Sequence, residues 1–133
     1  MNKDLPITVT AAIIVRGGRV LITRRPPNGR HPGSWEFPGG KVEPGEEPRA
    51  CLERELDEEL AVGAAAGDLL AQAHHAYPDL TIDLLAFECS ITAGEPADIG
   101  CDSHRWVLPA ELSHYDLLPP DMALAREIFG VES

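Results

Sequence analysis

Hydrophobic residues follow two different periods along the first half of the chain. Residues 8–15 form a run of β-branched and small apolar side chains, and a second run at residues 19–23 follows a pair of glycines, which predicts a β-hairpin. In residues 48–60 three leucines recur at every fourth position, the spacing of an amphipathic helix whose apolar face packs on a core: Leu52, Leu56 and Leu60. The chain is therefore expected to begin with strands and to continue into a helix.

The second half of the chain combines strand and helix patterns. Residues 80–90 alternate well enough to predict a long half-buried strand with a bulge, whereas residues 68–76 fit neither type clearly. The other expected elements are extended segments at 35–37 and 104–108, a short helical turn at 109–112 and a last helix at 119–128. Strands interleaved with two main helices indicate an α/β fold in which a mixed β-sheet packs between helices.

Carboxylates are concentrated around the central helix. Residues 40–62 contain eight of them, and Glu55, Glu58 and Glu59 lie at i, i+3 and i+4 on one helix face. Like charges at that spacing destabilise a helix by roughly 0.2–0.5 kcal/mol per pair. A hard divalent cation such as Mg²⁺ or Mn²⁺ would neutralise them, because such ions prefer carboxylate and carbonyl oxygens.

The simpler interpretation is a solvated acidic surface, which is the usual role of a glutamate-rich helix face. Two features argue for a site instead. Glycine and proline turns at residues 38–40 and 44–45 bring a strand, a loop and the helix together over a short stretch. Glu59 also falls within about 20° of Leu52 on a helical wheel. A carboxylate so close to the core needs a partner, which could be Arg54 or a metal ion.

Size and charge narrow the classes of function. A chain of 133 residues suits a single domain, residues 1–133, and its net charge of −11 disfavours binding to DNA or RNA, which depends on Lys and Arg. No stretch is long and apolar enough to cross a membrane, so a cytoplasmic location is the default expectation. The three cysteines have no metal-binding spacing and are expected to be reduced thiols.

The acidic segment resembles the signature of the Nudix hydrolase family. Gly40, Glu46 and the run Arg54, Glu55, Leu56, Glu58 and Glu59 match the pattern G-x5-E-x7-R-E-U-x-E-E-x-G-U, in which U is a bulky aliphatic residue. Val62 fills the last aliphatic position, and Ala61 departs by standing in place of glycine. Glycine there would end the helix in a left-handed turn, which alanine adopts only at some energetic cost. The resemblance implies the Nudix α/β/α sandwich.

The resemblance also implies a ligand set for Mg²⁺, with Mn²⁺ as a possible substitute. The expected metal ligands are Glu55, Glu58, Glu59 and the backbone carbonyl of Gly40. Glu58 or Glu59 could instead serve partly as a general base, and the sequence leaves both roles open. Glu46 and Arg54 are expected to act around the ligands, with Glu46 orienting Arg54 and Arg54 holding the carboxylates.

One acidic residue common in the family has no direct counterpart here. It lies about six residues before the tryptophan matching Trp106, and this chain has Gly100 at that position. Asp98 or Asp102 could take over its role, although an aspartate in a loop is more often a turn residue.

Further motifs resemble the MutT branch of the family. They comprise residues 21–25, the Trp35-Glu36-Phe37-Pro38-Gly39-Gly40-Lys41 segment, residues 77–79 and residues 118–121. Branch members hydrolyse nucleoside triphosphates to the monophosphate and pyrophosphate. The expected substrate-binding residues are Arg25, Glu36 and Asp121. Arg25 could equally be a solvated residue at a strand end, and residues 24–34 are either a mobile lid or a surface loop.

Asp121 bears on the choice of base. Some members of the branch have asparagine there, which both donates and accepts hydrogen bonds, whereas an ionised aspartate only accepts. An ionised Asp121 favours a base that offers amino or imino donors, unless burial keeps the acid protonated. Asp121 follows two prolines at a helix start, so it could also be an N-cap.

These observations predict a Mg²⁺-dependent hydrolase of nucleoside triphosphates such as 8-oxo-dGTP or (d)CTP. Its only expected partner is the small nucleotide substrate. Two alternatives stay open: hydrolysis of another nucleoside diphosphate derivative, such as a nucleotide sugar or a dinucleoside polyphosphate, and a nonhydrolysing nucleotide sensor. The sequence does not fix the oligomeric state.

Overall fold

The structure, a computed structural model, describes residues 5–132. Its strands are β1 (Ile7–Ile13), β2 (Val15–Arg16), β3 (Arg19–Arg24), β4 (Trp35–Glu36), β5 (Gly63–Ala76), β6 (Thr81–Ala93) and β7 (Ser103–Val107). The helices are α1 (Pro48–Leu60) and α2 (Pro119–Phe129), with a 3₁₀ turn at Pro109–His114. The expected helical turn and last helix are thus present, and the last helix extends one residue further than predicted.

The strands form two sheets. One has the order β1-β6-β5 and is mixed, because β1 runs parallel to β6 while β5 runs antiparallel to it. The other is antiparallel, with β3 pairing with β7 along one edge and with β2 and β4 along the other. The predicted mixed sheet is present, and the second, antiparallel sheet adds to it.

The first predicted strand was wrong in its continuity. Residues 8–15 do not form one strand of a hairpin, because β1 ends at Ile13 and joins β6, whereas Val15 starts β2 in the other sheet. The glycine turn connects only the two-residue β2 to β3, with positive φ angles of 58° and 77° at Gly17 and Gly18. A continuous apolar run does not reveal where a chain passes from one sheet to the next.

Strands β5 and β6 also differ from expectation. Residues 63–67 belong to β5, which the sequence missed because alanine and glycine carry little strand signal. The pairing of β5 with β6 shifts register at three places, between Gly63 and Ala64, between Ala66 and Leu69 and between Leu69 and Ala71. The expected irregularity exists, and most of it lies in β5 rather than at residues 80–90.

The core has two layers, one on each side of the sheets. Alternating strand residues separate them, since Ala11 and Ile13 face the α2 side and Ala12 and Ile14 face the α1 side. The predicted leucine stripe of α1 is confirmed, with all three side chains fully buried: Leu52, Leu56 and Leu60. The sheets therefore lie between α1 and α2, which is the expected α/β/α arrangement.

Two further features concern the lengths of the helices and the state of the cysteines. Within residues 5–132, no helix combines the length and the apolar character needed to cross a lipid bilayer. Cys51, Cys89 and Cys101 are all free and buried, which confirms the expected reduced thiols.

Candidate active site

Helix α1 is defined at both ends by local contacts. Glu47 is its N-cap, and the carboxylate of Glu47 accepts a hydrogen bond from the Ala50 N–H at 3.0 Å, while Pro48 takes the first helical position, where no N–H is needed. At the other end Ala61 adopts the left-handed conformation (φ 57°, ψ 39°) that the sequence pattern assigns to glycine. Replacing the family glycine with alanine leaves the turn in place and adds strain to it.

Arg54 connects three of the predicted site carboxylates. Its Nε and Nη2 donate to the two oxygens of Glu46 at 2.7 and 3.0 Å. Its Nη1 donates to Glu55 at 3.2 Å and to Glu58 at 3.1 Å. The hydrogen bonds that Glu46 accepts from Arg54, together with one from the Glu43 N–H, lower the pKa of Glu46 to about 2. One guanidinium thus holds three carboxylates on one side of the helix.

Gly40 lies directly against Glu55. A Cβ atom on Gly40 would lie 2.2 Å from the Glu55 carboxyl carbon, so any other residue at position 40 would displace that carboxylate. The loop is held by β1, because the Thr10 N–H donates to the Gly40 carbonyl at 2.8 Å and the Ala12 N–H donates to the Pro38 carbonyl at 2.7 Å. Strand β1 therefore sets the distance between the glycine loop and α1.

Glu59 has a different environment from the carboxylates that Arg54 contacts. Burial, reinforced by repulsion from Glu36 and Glu55, raises the pKa of Glu59 to about 8. No hydrogen bond reaches its carboxylate from any residue that the structure describes. Burial also raises the pKa of Glu55. The charge of Arg54 opposes the rise at Glu55 and the charge of Arg25 opposes the rise at Glu59, but burial outweighs both.

The donor set fits a hard divalent cation. Its predicted members are of the type such an ion prefers: the carboxylates of Glu55, Glu58 and Glu59 and the carbonyl of Gly40. Glu55 lies next to Gly40, where no side chain fills the space. Across residues 5–132, however, no three His, Cys, Asp or Glu side chains already converge as a metal site. The structure brings Gly40 together with Glu55, and joins Glu55 to Glu58 through Arg54, while the metal roles stay predictions.

A cavity of about 490 Å³ opens beside this cluster. Gly40 and Glu55 line it together with three residues predicted to bind substrate: Arg25, Glu36 and Asp121. Most of the remaining wall is apolar, and includes Ile7, Val9, Phe37, Leu80, Ile82, Leu84 and Leu118. A cavity of this size and character is typical of a site for a small organic ligand.

Arg25 and Glu36 form an ion pair inside the cavity. The Arg25 Nη1 lies 3.2 and 3.1 Å from the two Glu36 oxygens, and its Nε donates to the Arg30 carbonyl at 2.7 Å. Burial raises the pKa of Glu36, and the charge of Arg25 opposes that rise. Arg25 is thus not a solvated strand-end residue, because it neutralises a buried carboxylate and ties the following loop to the strand.

Asp121 is buried, with 3% of its surface exposed. Its Oδ2 accepts a hydrogen bond from the Phe37 backbone N–H at 3.0 Å. Burial and repulsion from Glu36 raise the pKa of Asp121 well above its ordinary value, and the Phe37 N–H and Arg25 oppose that rise. The neutral acid is favoured, and a neutral acid has an O–H donor as well as an acceptor.

The expected N-cap role of Asp121 was wrong. The N-cap of α2 is Leu118, no side chain caps that helix end, and Asp121 is the third helical residue. Two prolines occupy the positions before it, so the helix starts earlier than a capping aspartate would allow. The Asp121 carboxyl is directed to Phe37 across the cavity instead.

The two candidates for the missing loop acid have other partners. Asp98 accepts from the His104 Nδ1 at 2.6 Å, and Asp102 pairs with Arg24 at 3.5 Å. Gly100 packs on α1, since a Cβ there would lie 3.3 Å from both the Cα and the Cγ of Glu59. This loop therefore contacts the acidic helix through its backbone.

The sequence missed His31 and Arg30 as cavity residues. His31 has a left-handed backbone (φ 51°), and its ring lies 4.8 Å from that of Tyr77. Burial and the charges of Arg30 and Arg25 lower its pKa, and its Nε2 is buried with no hydrogen-bond partner among residues 5–132. Arg30 forms an ion pair with Asp79. Only the lid prediction for residues 24–34 pointed to this loop.

The chain matches known proteins along nearly its whole length. The NUDIX domain family model covers residues 9–127. CTP pyrophosphohydrolase of Escherichia coli is 38% identical over 96% of this chain and 94% of its own length. The 8-oxo-dGTP diphosphatase of Haemophilus influenzae is 36% identical, covering 96% of this chain and 95% of that protein.

A solved structure agrees with these relatives. The crystal structure of the MutT protein from Methanosarcina mazei superposes with a TM-score of 0.83 at 25% identity, covering 96% of this chain and 95% of that one. Sequence and fold therefore agree over the same residues. The chain belongs to the Nudix hydrolase family and is a MutT-like member of it.

Proposed function

We propose that this protein hydrolyses nucleoside triphosphates to the nucleoside monophosphate and pyrophosphate with Mg²⁺, and that 8-oxo-dGTP and (d)CTP are its candidate substrates. The proposal rests on one observation: the same cavity is lined by Gly40 and Glu55, by Asp121 and by the Arg25–Glu36 pair. A nucleotide would fit this cavity. Its anionic phosphates, with Mg²⁺, would lie at the acidic end, and its base would present hydrogen-bonding edges at the other end.

The acidic helix is the proposed phosphate end. Glu55, Glu58, Glu59 and the Gly40 carbonyl would hold Mg²⁺, or Mn²⁺ in its place. When bound, such an ion neutralises phosphate charge and lowers the pKa of a coordinated water. Arg54 restrains Glu55 and Glu58, and Glu46 fixes the other side of the same guanidinium. The protein's own contribution is then to keep the carboxylates at a defined distance from one another.

Asp121 and Glu36 mark the end of the cavity that we propose binds the nucleotide base. The Phe37 N–H donates to one oxygen of Asp121, and we propose that the second oxygen contacts the base. In its neutral form that oxygen can donate to a carbonyl or ring nitrogen, which both cytosine and guanine offer. The names of the Escherichia coli and Haemophilus influenzae relatives support the same two classes of base.

A cytoplasmic location is part of the proposal. The three buried, free thiols of Cys51, Cys89 and Cys101 are typical of a reducing compartment.

The test is a panel of possible substrates with purified protein and Mg²⁺. It contains 8-oxo-dGTP, dGTP, CTP, dCTP, ADP-ribose and a dinucleoside polyphosphate, and the released monophosphate and pyrophosphate are quantified. We expect one triphosphate to dominate. Preferred cleavage of ADP-ribose or the dinucleoside compound would replace the triphosphate assignment, and nucleotide binding with no turnover would favour the sensor.

The Asp121→Asn variant tests whether Asp121 recognises the nucleotide base. The amide NH₂ only donates, whereas the O–H of a neutral acid also accepts, and the substitution leaves the acidic helix intact. The ratio of kcat/KM values between two triphosphates should therefore change by about tenfold, within the range that one base contact contributes. The Mg²⁺ concentration that supports half-maximal rate should stay the same. An unchanged substrate profile would remove Asp121 from base recognition.

A further inference from the structure

The segment 97–100, here called the strap, covers the carboxyl end of α1. The Ile99 and Gly100 N–H groups both donate to the Glu59 carbonyl, at 3.1 and 3.0 Å, and the Ala97 N–H donates to the Leu60 carbonyl at 2.9 Å. The last carbonyls of a helix have no partner within the helix itself. The strap therefore supplies donors to the backbone of the residue that carries the Glu59 carboxylate.

Few other interactions stabilise the carboxyl end of helix α1. It has no basic residue in its last turn, and its terminal turn depends on Ala61 in a conformation that is strained for alanine. Loss of the strap bonds would expose two carbonyls and leave a strained turn to hold the helix end. The orientation of Glu59 therefore depends on the strap more than on the helix sequence.

The strap packs on Glu59 without a side chain in between. A Cβ on Gly100 would lie 3.3 Å from the Cα and the Cγ of Glu59, which is closer than side chains ordinarily tolerate. Any displacement of the strap towards α1 is thus transmitted to the first atoms of the Glu59 side chain. Contact through backbone atoms is stiff because it has no rotamers to absorb a shift.

The strap is anchored on the antiparallel sheet by one hydrogen bond. His104 in β7 donates from Nδ1 to Asp98 at 2.6 Å, and Asp98 lies one residue before the strap's first contact with Glu59. The Cys101 thiol adds a weaker bond to the same Asp98 oxygen at 3.6 Å. His104 pairs with Thr23 across the sheet, and Thr23 pairs with Glu36 on its other side. The anchor thus links Glu59, through β7 and β3, to β4, which carries Glu36.

We infer that Asp98 and His104 are positioning residues, which hold the Glu59 carboxylate in place through the strap. This inference rests on the proposed metal role of Glu59. Asp98 acts through the backbone of Ile99 and Gly100 rather than as a metal ligand, so it does not take over the missing loop acid. The inference gives a role to His104 and Asp98, which lie outside the family signature.

Three variants test the anchor. His104→Phe removes the donor, whereas His104→Asn keeps an N–H donor close to the position of Nδ1. His74→Phe is the matched control, because His74 makes an equally short bond of 2.6 Å to Asp83 at an exposed place on β5 and β6. Each variant is checked for folding by circular dichroism and thermal unfolding.

The deciding measurement is Mn²⁺ affinity, obtained by electron paramagnetic resonance of free Mn²⁺ without nucleotide. We expect His104→Phe to weaken Mn²⁺ binding by about tenfold, as is common when a residue behind a ligand is lost. His104→Asn should stay within about twofold of the parent protein, as should His74→Phe. Equal Mn²⁺ affinity of His104→Phe and the parent protein would overturn the inference, and so would equal weakening in all three variants.

Turnover separates this inference from the proposed function. With a triphosphate substrate, His104→Phe should lower kcat and leave KM nearly unchanged, because the cavity residues that bind the base are untouched. If the parent protein binds Mn²⁺ but cleaves no triphosphate, the proposed function fails while the Mn²⁺ comparison still decides the role of the anchor.

Discussion

At one end of the cavity, Arg54 contacts three carboxylates beside α1: Glu46, Glu55 and Glu58. At the other end, by contrast, Asp121 is 3% exposed and accepts a hydrogen bond from the Phe37 backbone N–H. In the first group, Arg54 lowers the pKa of Glu46 to about 2 and opposes the rise that burial causes at Glu55. The second is driven towards its neutral form, since burial raises the pKa of Asp121 well above the ordinary range. Excess negative charge suits phosphate chemistry with a cation, and a neutral buried acid suits the recognition of a base.

Glu36 and Glu59 lie between these two extremes. Both are partly buried, but Glu36 has the Arg25 guanidinium at about 3.1 Å and Glu59 has no hydrogen-bond donor among the residues described. The difference separates a carboxylate that the protein neutralises itself from one that it leaves for a ligand. Four predictions test this division, from the largest expected effect to the smallest.

Glu55→Gln should have the largest effect. It removes the charge of a proposed metal ligand beside Gly40 with almost no change of shape. We expect kcat to fall by at least about a hundredfold, the upper range for residues that only support a ligand. Steady-state rates at saturating Mg²⁺ measure the fall. The control is Asp57→Asn, an exposed carboxylate on the same helix, which should leave the rate unchanged. Retained turnover in Glu55→Gln would remove Glu55 from the metal site.

Arg25→Ala should destabilise the fold. It leaves the half-buried Glu36 carboxylate without its counter-charge, so the free energy of unfolding should fall by about 2 kcal/mol, within the range for hydrogen bonds to charged groups. Urea unfolding gives the value. The double variant with Glu36→Gln should recover much of the loss, because the uncompensated charge is gone. Additive losses in the double variant would mean that the pair contributes no coupling.

Asp121→Asn should flatten the dependence of stability on pH. Because the folded state raises the pKa of Asp121 above its ordinary 3.8, its folded form binds a proton that the unfolded form has released. The parent protein should therefore lose stability as pH rises from about 4 through the folded pKa, by at most about 1.4 kcal/mol per pH unit. The asparagine variant lacks this contribution. Parallel stability curves from pH 4 to 8 would contradict a neutral Asp121.

Ala61→Gly should have the smallest effect. Glycine adopts the left-handed conformation without the strain that alanine has there, although it also gains more freedom in the unfolded chain. We expect a net stabilisation of about 0.5–1 kcal/mol, measured by urea unfolding. Activity should not fall, since the strap holds the same helix end. Destabilisation would mean that the alanine methyl group makes a packing contact that outweighs the strain.

The acidic helix could be read from the sequence almost completely. Its bounds, residues 48–60, follow from a proline at the first position and three leucines at one spacing, and these signals act within the helix itself. The first strand could not be bounded in the same way, because the break after Ile13 depends on two sheets whose partners come much later in the chain.

The base end and the strap depend on contacts between distant segments. Asp121 contacts Phe37, 84 positions away, so its burial and the rise in its pKa leave no local signal in the sequence. The strap has the sequence Ala-Asp-Ile-Gly, and nothing in this composition shows that its backbone donates to Glu59. Motif resemblance found the residues at both ends of the cavity, and only the fold could give their protonation and neighbours.

The parallel pairing of β1 with β6 also sets an order for synthesis. Ile7 pairs with Ile82, which is 75 positions later, so the first strand leaves the ribosome long before its neighbour exists. Bringing such distant strands together is slow, because the loop between them must lose its freedom first. Strand β1 also carries the glycine loop, through the Thr10 and Ala12 N–H groups. The nascent chain can therefore form α1 early, but it cannot complete the site beside α1 until β6 has been made.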